Sequence, residues 1–183
     1  MALGSGKNII AQRMGSESYN IYAALPLAEH WSKAPDNARL LHSQDIRQHL
    51  VQTYYADWAK DLTDLITLSD GDWHSWPLHT LPAEALAWQS VPGVTLVGDA
   101  AHVGLPNGEG VNLGMHDALD LANAIEACGV RNVNEAVKRY ESGMLPRGRE
   151  HIEDGKRMAG MFFEMESPRG FKEWLKEMGQ LAE

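Results

Sequence analysis

The segment spanning residues 94–125, VTLVGDAAHVGLPNGEGVNLGMHDALDLANAI, constrains the fold of this chain more than any other part of it. A β-branched stretch, Val94–Val97, runs into Gly98 and Asp99, and a loop rich in Gly, Pro and Asn then leads to a predicted helix at about Gly110. The first N–H groups of a helix have no intrahelical acceptor, and the helix dipole favours negative charge beside them. Asp99, at the predicted end of the strand, is placed to accept hydrogen bonds from sugar-type hydroxyls. The segment therefore predicts a nucleotide or cofactor site.

The spacing within this segment resembles a known flavin signature. GDAAH, then Pro106, GEGVNLG and DALDLANAI follow one another as in the second flavin signature of the FAD-dependent aromatic hydroxylases. These are the group A flavoprotein monooxygenases, which have the fold of p-hydroxybenzoate hydroxylase. Within that group the chain looks most like the C-terminal half of the tetracycline-inactivating flavin monooxygenases. In one departure from the family pattern, only Asn107 lies between Pro106 and Gly108, where two residues are usual.

This resemblance implies a set of contacts with FAD. Asp99 would bind the ribityl chain, and Pro106 would pack beside the isoalloxazine ring. The helix N-terminus would face the pyrimidine end of the ring, where reduced flavin carries negative charge near N1. Glycine lets the backbone come close to a flat ring. The predicted cofactor-binding residues are Asp99, Pro106, Gly108, Gly110, Val111 and Asn112.

The sequence does not contain the motifs of the N-terminal half of that family's fold. No G-x-G-x-x-G motif for the ADP part of FAD occurs, because Gly4-Ser5-Gly6 has no third glycine, and Asp70-Gly71 does not match the family's middle motif. A length of 183 residues corresponds to about one domain, whereas the family needs about twice that. We therefore expect a truncated C-terminal half with an α+β fold. It would combine part of an antiparallel substrate-domain sheet (residues 1–92), the flavin-facing strand, loop and helix (93–130), and a C-terminal helical arm (131–183).

Hydrophobic periodicity and turn residues predict the individual elements. In the first segment we expect a hairpin of Lys7–Met14 and Tyr19–Leu27, an amphipathic helix capped by Ser43 and running to about Ile66, and a strand over Trp73–Leu81. Later in the chain we expect a helix ending at Gly129, a helix capped by Asn134 and broken at Pro146, a second piece over Gly148–Met165, and a last helix from Pro168. The last helix should carry Phe171, Trp174, Leu175 and Met178 on one apolar face that packs on the hairpin and helix near Trp58.

Two histidines raise the question of a metal or catalytic site. His102 and His116 with Asp99 could imitate a metal-ligand set, but neither an H-x-x-x-H pattern nor a pair of cysteines accompanies them. We therefore expect no metal. The resemblance implies a structural role for His102, and we expect Asp117, near the start of the helix, to serve the structure as well. No side chain is predicted to be catalytic, because flavin chemistry belongs to the cofactor.

Composition excludes several other classes of protein. The net charge of −9 without a Lys/Arg cluster argues against nucleic acid and anionic membranes. The single Cys128 fits a reducing cytoplasm, and no apolar run approaches the length of a membrane span.

The resemblance implies an enzyme that uses FAD, NAD(P)H and O2 to hydroxylate a small planar or aromatic compound. Two alternatives stay open: another flavoenzyme of the same fold, such as a reductase or halogenase, or a truncated, non-catalytic fragment that binds a hydrophobic ligand or a partner. Its partner would be the missing N-terminal FAD domain or a second copy of the chain.

Overall fold

The computed structural model describes residues 1–163, 167–177 and 179. They form two compact units. The hairpin unit contains Met1–Pro77 and the described residues from Met161 onward, and the signature unit contains Leu78–Gly160. Helices combined with one small antiparallel sheet agree with the predicted α+β class in its coarse form. The three predicted segments were drawn from the plan of a longer fold, and they remain a prediction.

The sheet of the hairpin unit is antiparallel, with the strand order β1-β2-β3. β2 (Lys7–Arg13) and β3 (Tyr19–Ala24) form the predicted hairpin, with Asn8 opposite Ala24. β1 (Ala2–Gly4) pairs with the other edge of β2, and sequence analysis did not predict it.

The predicted helix from Ser43 to Ile66 is two helices, so that prediction was wrong. After α1 (Pro35–Leu41), α2 covers Ile46–Tyr54 and α3 covers Lys60–Thr67. The chain turns at Tyr55, whose side chain is fully buried and whose hydroxyl lies 3.0 Å from the Asn8 carbonyl oxygen and 3.2 Å from that of Ala24. Ser43 is not the cap; its Oγ accepts the N–H of Asp45, which itself precedes the helix. The core of this unit consists of Ile9, Ile46, Leu50, Tyr55 and Ile66.

Two predicted strands are also absent from the described structure. Residues 73–81 have no regular structure, and Trp76 is 82% exposed. Val94 forms one isolated bridge with Val91, and residues 95–97 pair with no strand. Alternating or β-branched residues form a strand only where a neighbouring strand offers hydrogen bonds, and the described sheet is confined to residues 2–24.

The signature unit is built on helices. α4 (Asp99–His102) is a single turn, and α5 (Gly110–Cys128) begins and ends where predicted, with Gly129 at φ +78°. α6 runs from Val133 to Phe163 without the predicted break at Pro146.

Pro146 does not end α6 because its ring lies on the exposed side of the helix. The lost hydrogen bond therefore faces water, while the buried face continues on both sides of the proline. The buried residues of α6 are Ala136, Val137, Tyr140, Glu141, Met144, Gly148, His151, Ile152 and Gly155. Asn134 does not cap this helix, since its Oδ1 accepts the N–H of Gly93 at 2.9 Å.

α7 (Ser167–Glu177) packs against β1 in the hairpin unit, as predicted for the closing arm. The ring of Phe171 lies 5.6 Å from Trp174 and 5.5 Å from Phe162, and β1 reaches Trp58 through Gly4. Met178 and Met165, which the predictions also named, lie outside the described residues. Among the helices described, none has the length and apolar character needed to cross a membrane.

Candidate functional site

An open groove of about 520 Å³ lies in the signature unit, along the loop that joins α4 to α5. Five of the six predicted cofactor-binding residues line it, namely Asp99, Pro106, Gly108, Gly110 and Val111. The sixth, Asn112, does not line the groove; its amide donates to Glu109 Oε2 at 3.2 Å. The structure thus brings most of the predicted set together on one surface, and their binding of a cofactor remains a prediction.

Asp99 reaches the groove because the chain reverses at Gly98. Gly98 has φ +57°, which favours glycine, and it lies against Gly114 of α5. Its N–H donates to Asp117 Oδ2 at 2.9 Å. Asp99 is the first residue of α4, and it does not end a strand as predicted. Its side chain is exposed and lines the groove. An exposed carboxylate at this rim can accept hydrogen bonds from hydroxyl groups of a ligand.

Asp117 is the buried anchor beneath this reversal. His102 Nε2 donates to its Oδ2 at 2.5 Å, and Arg147 donates to its Oδ1 at 3.0 Å. Burial acts to raise the pKa of Asp117, but the hydrogen bonds from His102, Gly98 and Arg147 outweigh it and hold the pKa below its ordinary value. His102 and Asp117 are 1% and 0% exposed, which confirms the structural role predicted for both.

The loop before α5 is shaped by Asn107, the single residue at the shortened position of the signature. Its Oδ1 accepts the N–H of Glu109 at 3.0 Å, and its Nδ2 lies 3.2 Å from Nδ1 of His151. Gly108, between Asn107 and Glu109, has φ +87°, a conformation that residues other than glycine rarely adopt. Asn107 therefore fixes the turn that carries Pro106 and Gly108 along the groove.

The N-terminus of α5 opens onto the same groove. Within the described residues no side chain caps this helix. Its first backbone hydrogen bond is donated by the N–H of Leu113 to the carbonyl oxygen of Glu109, at 2.9 Å. The N–H groups of residues 110–112 precede that bond, and helix geometry gives them no intrahelical acceptor. Together with the helix dipole, they favour electron-rich groups of a ligand.

Close backbone approach on α6 supports the floor of the groove. A methyl group on Gly155 would lie 2.5 Å from the carbonyl oxygen of Leu105, and one on Gly148 would lie 2.5 Å from Leu86 Cδ2. Both glycines are buried on the same face of α6. Because these glycines have no side chains, Leu105 of the loop between α4 and α5 and the side chain of Leu86 can pack directly against the backbone of α6.

Glu141 holds the segment that leads to Gly98. Its carboxylate is 3% exposed and accepts hydrogen bonds from Trp88 Nε1 at 3.2 Å, Thr95 Oγ1 at 2.9 Å and the hydroxyl of Ser90. The hydroxyl of Tyr140 donates to the carbonyl oxygen of Leu96 at 3.0 Å. Side chains of α6 thus hold in place a stretch that was predicted to be a strand.

Sequence analysis missed Glu141 and His151, the two buried polar residues of α6 that contact this region. Their only signal is their position on one helix face with Met144 and Gly148. A predicted break at Pro146 hid that face, because it divided the pattern into two short pieces.

Comparison with known proteins identifies the family of this chain. Residues 44–154, more than half of the chain, match the FAD binding domain family. Monooxygenase penA from Penicillium thymicola is 31% identical over 124 residues, which are 58% of this chain and 29% of that protein. Monooxygenase asqM from Emericella nidulans is 34% identical over 80 residues, 40% of this chain and 18% of that protein. The matched stretches span less than a third of either relative. On the extent of the family match, the chain belongs to the FAD binding domain family.

Proposed function

We propose that this chain is the flavin-facing C-terminal half of a monooxygenase that hydroxylates a small planar or aromatic compound with NAD(P)H and O2. Its type would be that of the tetracycline-inactivating flavin monooxygenases. The carrying observation is the groove that gathers Asp99, Pro106, Gly108, Gly110 and Val111 in front of the uncapped start of α5. The matched relatives are named monooxygenases, which supports this reaction class. The single Cys128 suits a cytoplasmic enzyme.

In this proposal the residues of the chain bind and orient the flavin. Asp99 accepts hydrogen bonds from the ribityl hydroxyls, and the N–H groups at the start of α5 face N1 and the C2 carbonyl of the ring. Pro106 lies on the exposed side of the loop, where a flat ring can pack against it. Bound FAD supplies the redox chemistry. The protein's part is a fixed position for the ring and a local field that favours negative charge near N1.

An apolar surface on the signature unit supports a covering partner. Val111, Met115 and Leu119 follow one another at helical spacing on α5 and are 77%, 60% and 59% exposed. Surfaces of this kind mark interaction sites on soluble proteins. We propose that the dinucleotide-binding domain of the family covers this face, or a second copy of the chain where that domain is absent. Light scattering over a hundredfold concentration range tests the second case, and a monomer throughout would contradict it.

Ligand titration of the 183-residue chain tests the flavin site. The groove gathers contacts to the ring and the ribityl chain, so riboflavin and FAD should bind weakly and within about threefold of each other, and ADP should not compete. The purified chain should be nearly colourless for the same reason. Quenching of flavin fluorescence measures the affinities. Absence of saturable binding, or displacement of FAD by ADP, would overturn the proposal.

A further inference from the structure

His151 is a titratable side chain in the wall of the groove to which the proposed function assigns no role. It is 9% exposed, lies on the buried face of α6 and lines the groove beside Asn107. Its Nδ1 is 3.2 Å from Asn107 Nδ2.

The hydrogen bonds of Asn107 determine which proton the imidazole carries. The N–H of Glu109 donates to Asn107 Oδ1 at 3.0 Å, and this hydrogen bond fixes the orientation of the Asn107 side-chain amide. The amide NH2 group therefore faces His151, and a donor requires an acceptor opposite it. Nδ1 of His151 must then be unprotonated, which makes the ring neutral with its proton on Nε2. A proton on Nδ1 would set two donors against each other.

The surroundings of the ring also favour the neutral form. Burial lowers the pKa of His151, and the nearby His102 of α4, whose ring centre is 5.8 Å away, lowers it further. Asp154 on α6 itself, Asp99 on α4 and Glu109 before α5 act in the opposite direction. The net direction is downward from the ordinary value of 6.5.

We propose that neutral His151 is a positioning residue, which holds the turn at Asn107 and Gly108 in the shape that admits the flavin ring and releases that turn when its imidazole is protonated. Protonation removes the acceptor of the Asn107 amide. The amide must then leave His151, or rotate and give up the N–H of Glu109, and either movement displaces the loop that carries Pro106. The identity of the ligand rests on the proposed function; the link between His151 and the turn does not.

Three substitutions separate this link from simple packing. His151→Asn places an amide oxygen near the position of Nδ1 and keeps an acceptor that does not titrate. His151→Leu fills the space without an acceptor. Asn107→Asp replaces the amide donor with a second acceptor, which pairs best with a protonated Nδ1. Asn123→Asp, on the exposed surface of α5, is the control for the added charge.

The first measurement needs no ligand. In a two-dimensional NMR titration of the 183-residue chain from about pH 8 to about pH 5, the Asn107 side-chain amide and the Gly108 and Glu109 backbone amides should shift together with the His151 ring. The common midpoint should lie below 6.5. It should rise in Asn107→Asp, stay in place in Asn123→Asp, and disappear from these amides in His151→Asn. Amides that do not follow the imidazole would overturn the inference.

The second measurement adds riboflavin as the probe. Affinity of the wild-type chain should fall about five- to tenfold across the same midpoint, the size expected for one lost hydrogen bond. His151→Asn should keep the neutral-pH affinity and lose the pH dependence, whereas His151→Leu should be weak at every pH. Equal pH profiles in wild type and His151→Asn would contradict the proposal. If riboflavin binds to no variant at any pH, the flavin assignment fails, and the NMR titration still decides the role of His151.

Discussion

Gly155 of α6 and Leu105 of the groove loop are in backbone contact: a methyl group on Gly155 would lie 2.5 Å from the Leu105 carbonyl oxygen and 3.1 Å from its nitrogen. Backbone atoms cannot move aside as the end of a flexible side chain can. The loop before α5 therefore depends on the absence of a side chain at residue 155.

Replacement of Gly155 by alanine should push the groove loop away from α6. We expect a loss of about 1–3 kcal/mol in the free energy of unfolding, as for overpacked sites, and a weaker affinity for riboflavin. Gly143→Ala is the matched control on the same helix, because a methyl group there meets nothing closer than Arg147 Nη1 at 4.0 Å. That control should be neutral or stabilising by up to about 1 kcal/mol. Urea unfolding of the two variants makes the comparison, and equal stabilities would contradict the contact.

Asp99→Ala tests the proposed contact with the ribityl chain. Removal of a charged acceptor should weaken flavin binding by about 1.5–3 kcal/mol, or roughly ten- to hundredfold. Stability should change little, because the side chain is exposed. Glu126→Ala, exposed near the far end of α5, controls for the change in net charge. An unchanged dissociation constant in Asp99→Ala would make Asp99 only the first residue of α4.

Asp117→Asn should destabilise the signature unit. We expect a loss of about 2–4 kcal/mol at neutral pH, somewhat under the usual effect of breaking a buried ion pair, because Arg147 keeps a second contact with Asp120 at 3.0 Å. The pKa of Asp117 is lowered in the folded state, so its stabilisation is complete above its ordinary value of 3.8 and is lost as the pH falls through the lower folded value. The stability difference between wild type and Asp117→Asn should therefore shrink below about pH 4. Urea titrations at a series of pH values measure it, and a difference that grows in acid would show the sign to be wrong.

Tyr55→Phe tests the contact that ends α2. The lost hydroxyl leaves the Asn8 and Ala24 carbonyl oxygens without this donor, so we expect a loss of about 1–2 kcal/mol. Tyr54→Phe, one residue earlier and half-buried, should cost less than about 0.5 kcal/mol. Thermal unfolding of the two variants measures the difference, and equal melting temperatures would contradict a stabilising role of the Tyr55 hydroxyl.

Trp174→Ala tests the packing of α7. Full burial would predict a loss of about 3–5 kcal/mol, but Trp174 is only half-buried beside Phe171, so about 1–2 kcal/mol is expected. Trp76→Ala, at an 82% exposed position, should have almost no effect. If deleting residues 167–183 leaves the melting temperature unchanged, α7 contributes nothing to the hairpin unit.

The sequence was most informative where structure is determined locally. The hairpin, the start of α5 at Gly110 and its end at Gly129 follow from turn glycines and periodicity within a few residues. The groove residues lie close in sequence, so five of them could be placed together without knowledge of the tertiary fold.

The incorrect predictions depended on partners far along the chain. Residues 94–97 have the composition of a strand, but α6 holds them through Glu141 and Tyr140, more than 40 residues later. Tyr55 breaks a regular apolar pattern because its hydroxyl reaches the sheet. Pro146 fails to end α6 because the buried face around it continues. Composition and spacing carry no record of such contacts, which is also why His151 was missed.

Because α6 supports the groove, the groove can form only after α6 has been synthesised. Asn107 meets its partner His151 only 44 residues later in the chain, and Leu105 meets Gly155 later still. As the polypeptide leaves the ribosome, the turn at Gly108 has no packing partner on α6 until the second half of that helix has been made. Until then the residues that line the groove are present but not held in place, and a chain that stalls before residue 155 carries the signature without the groove.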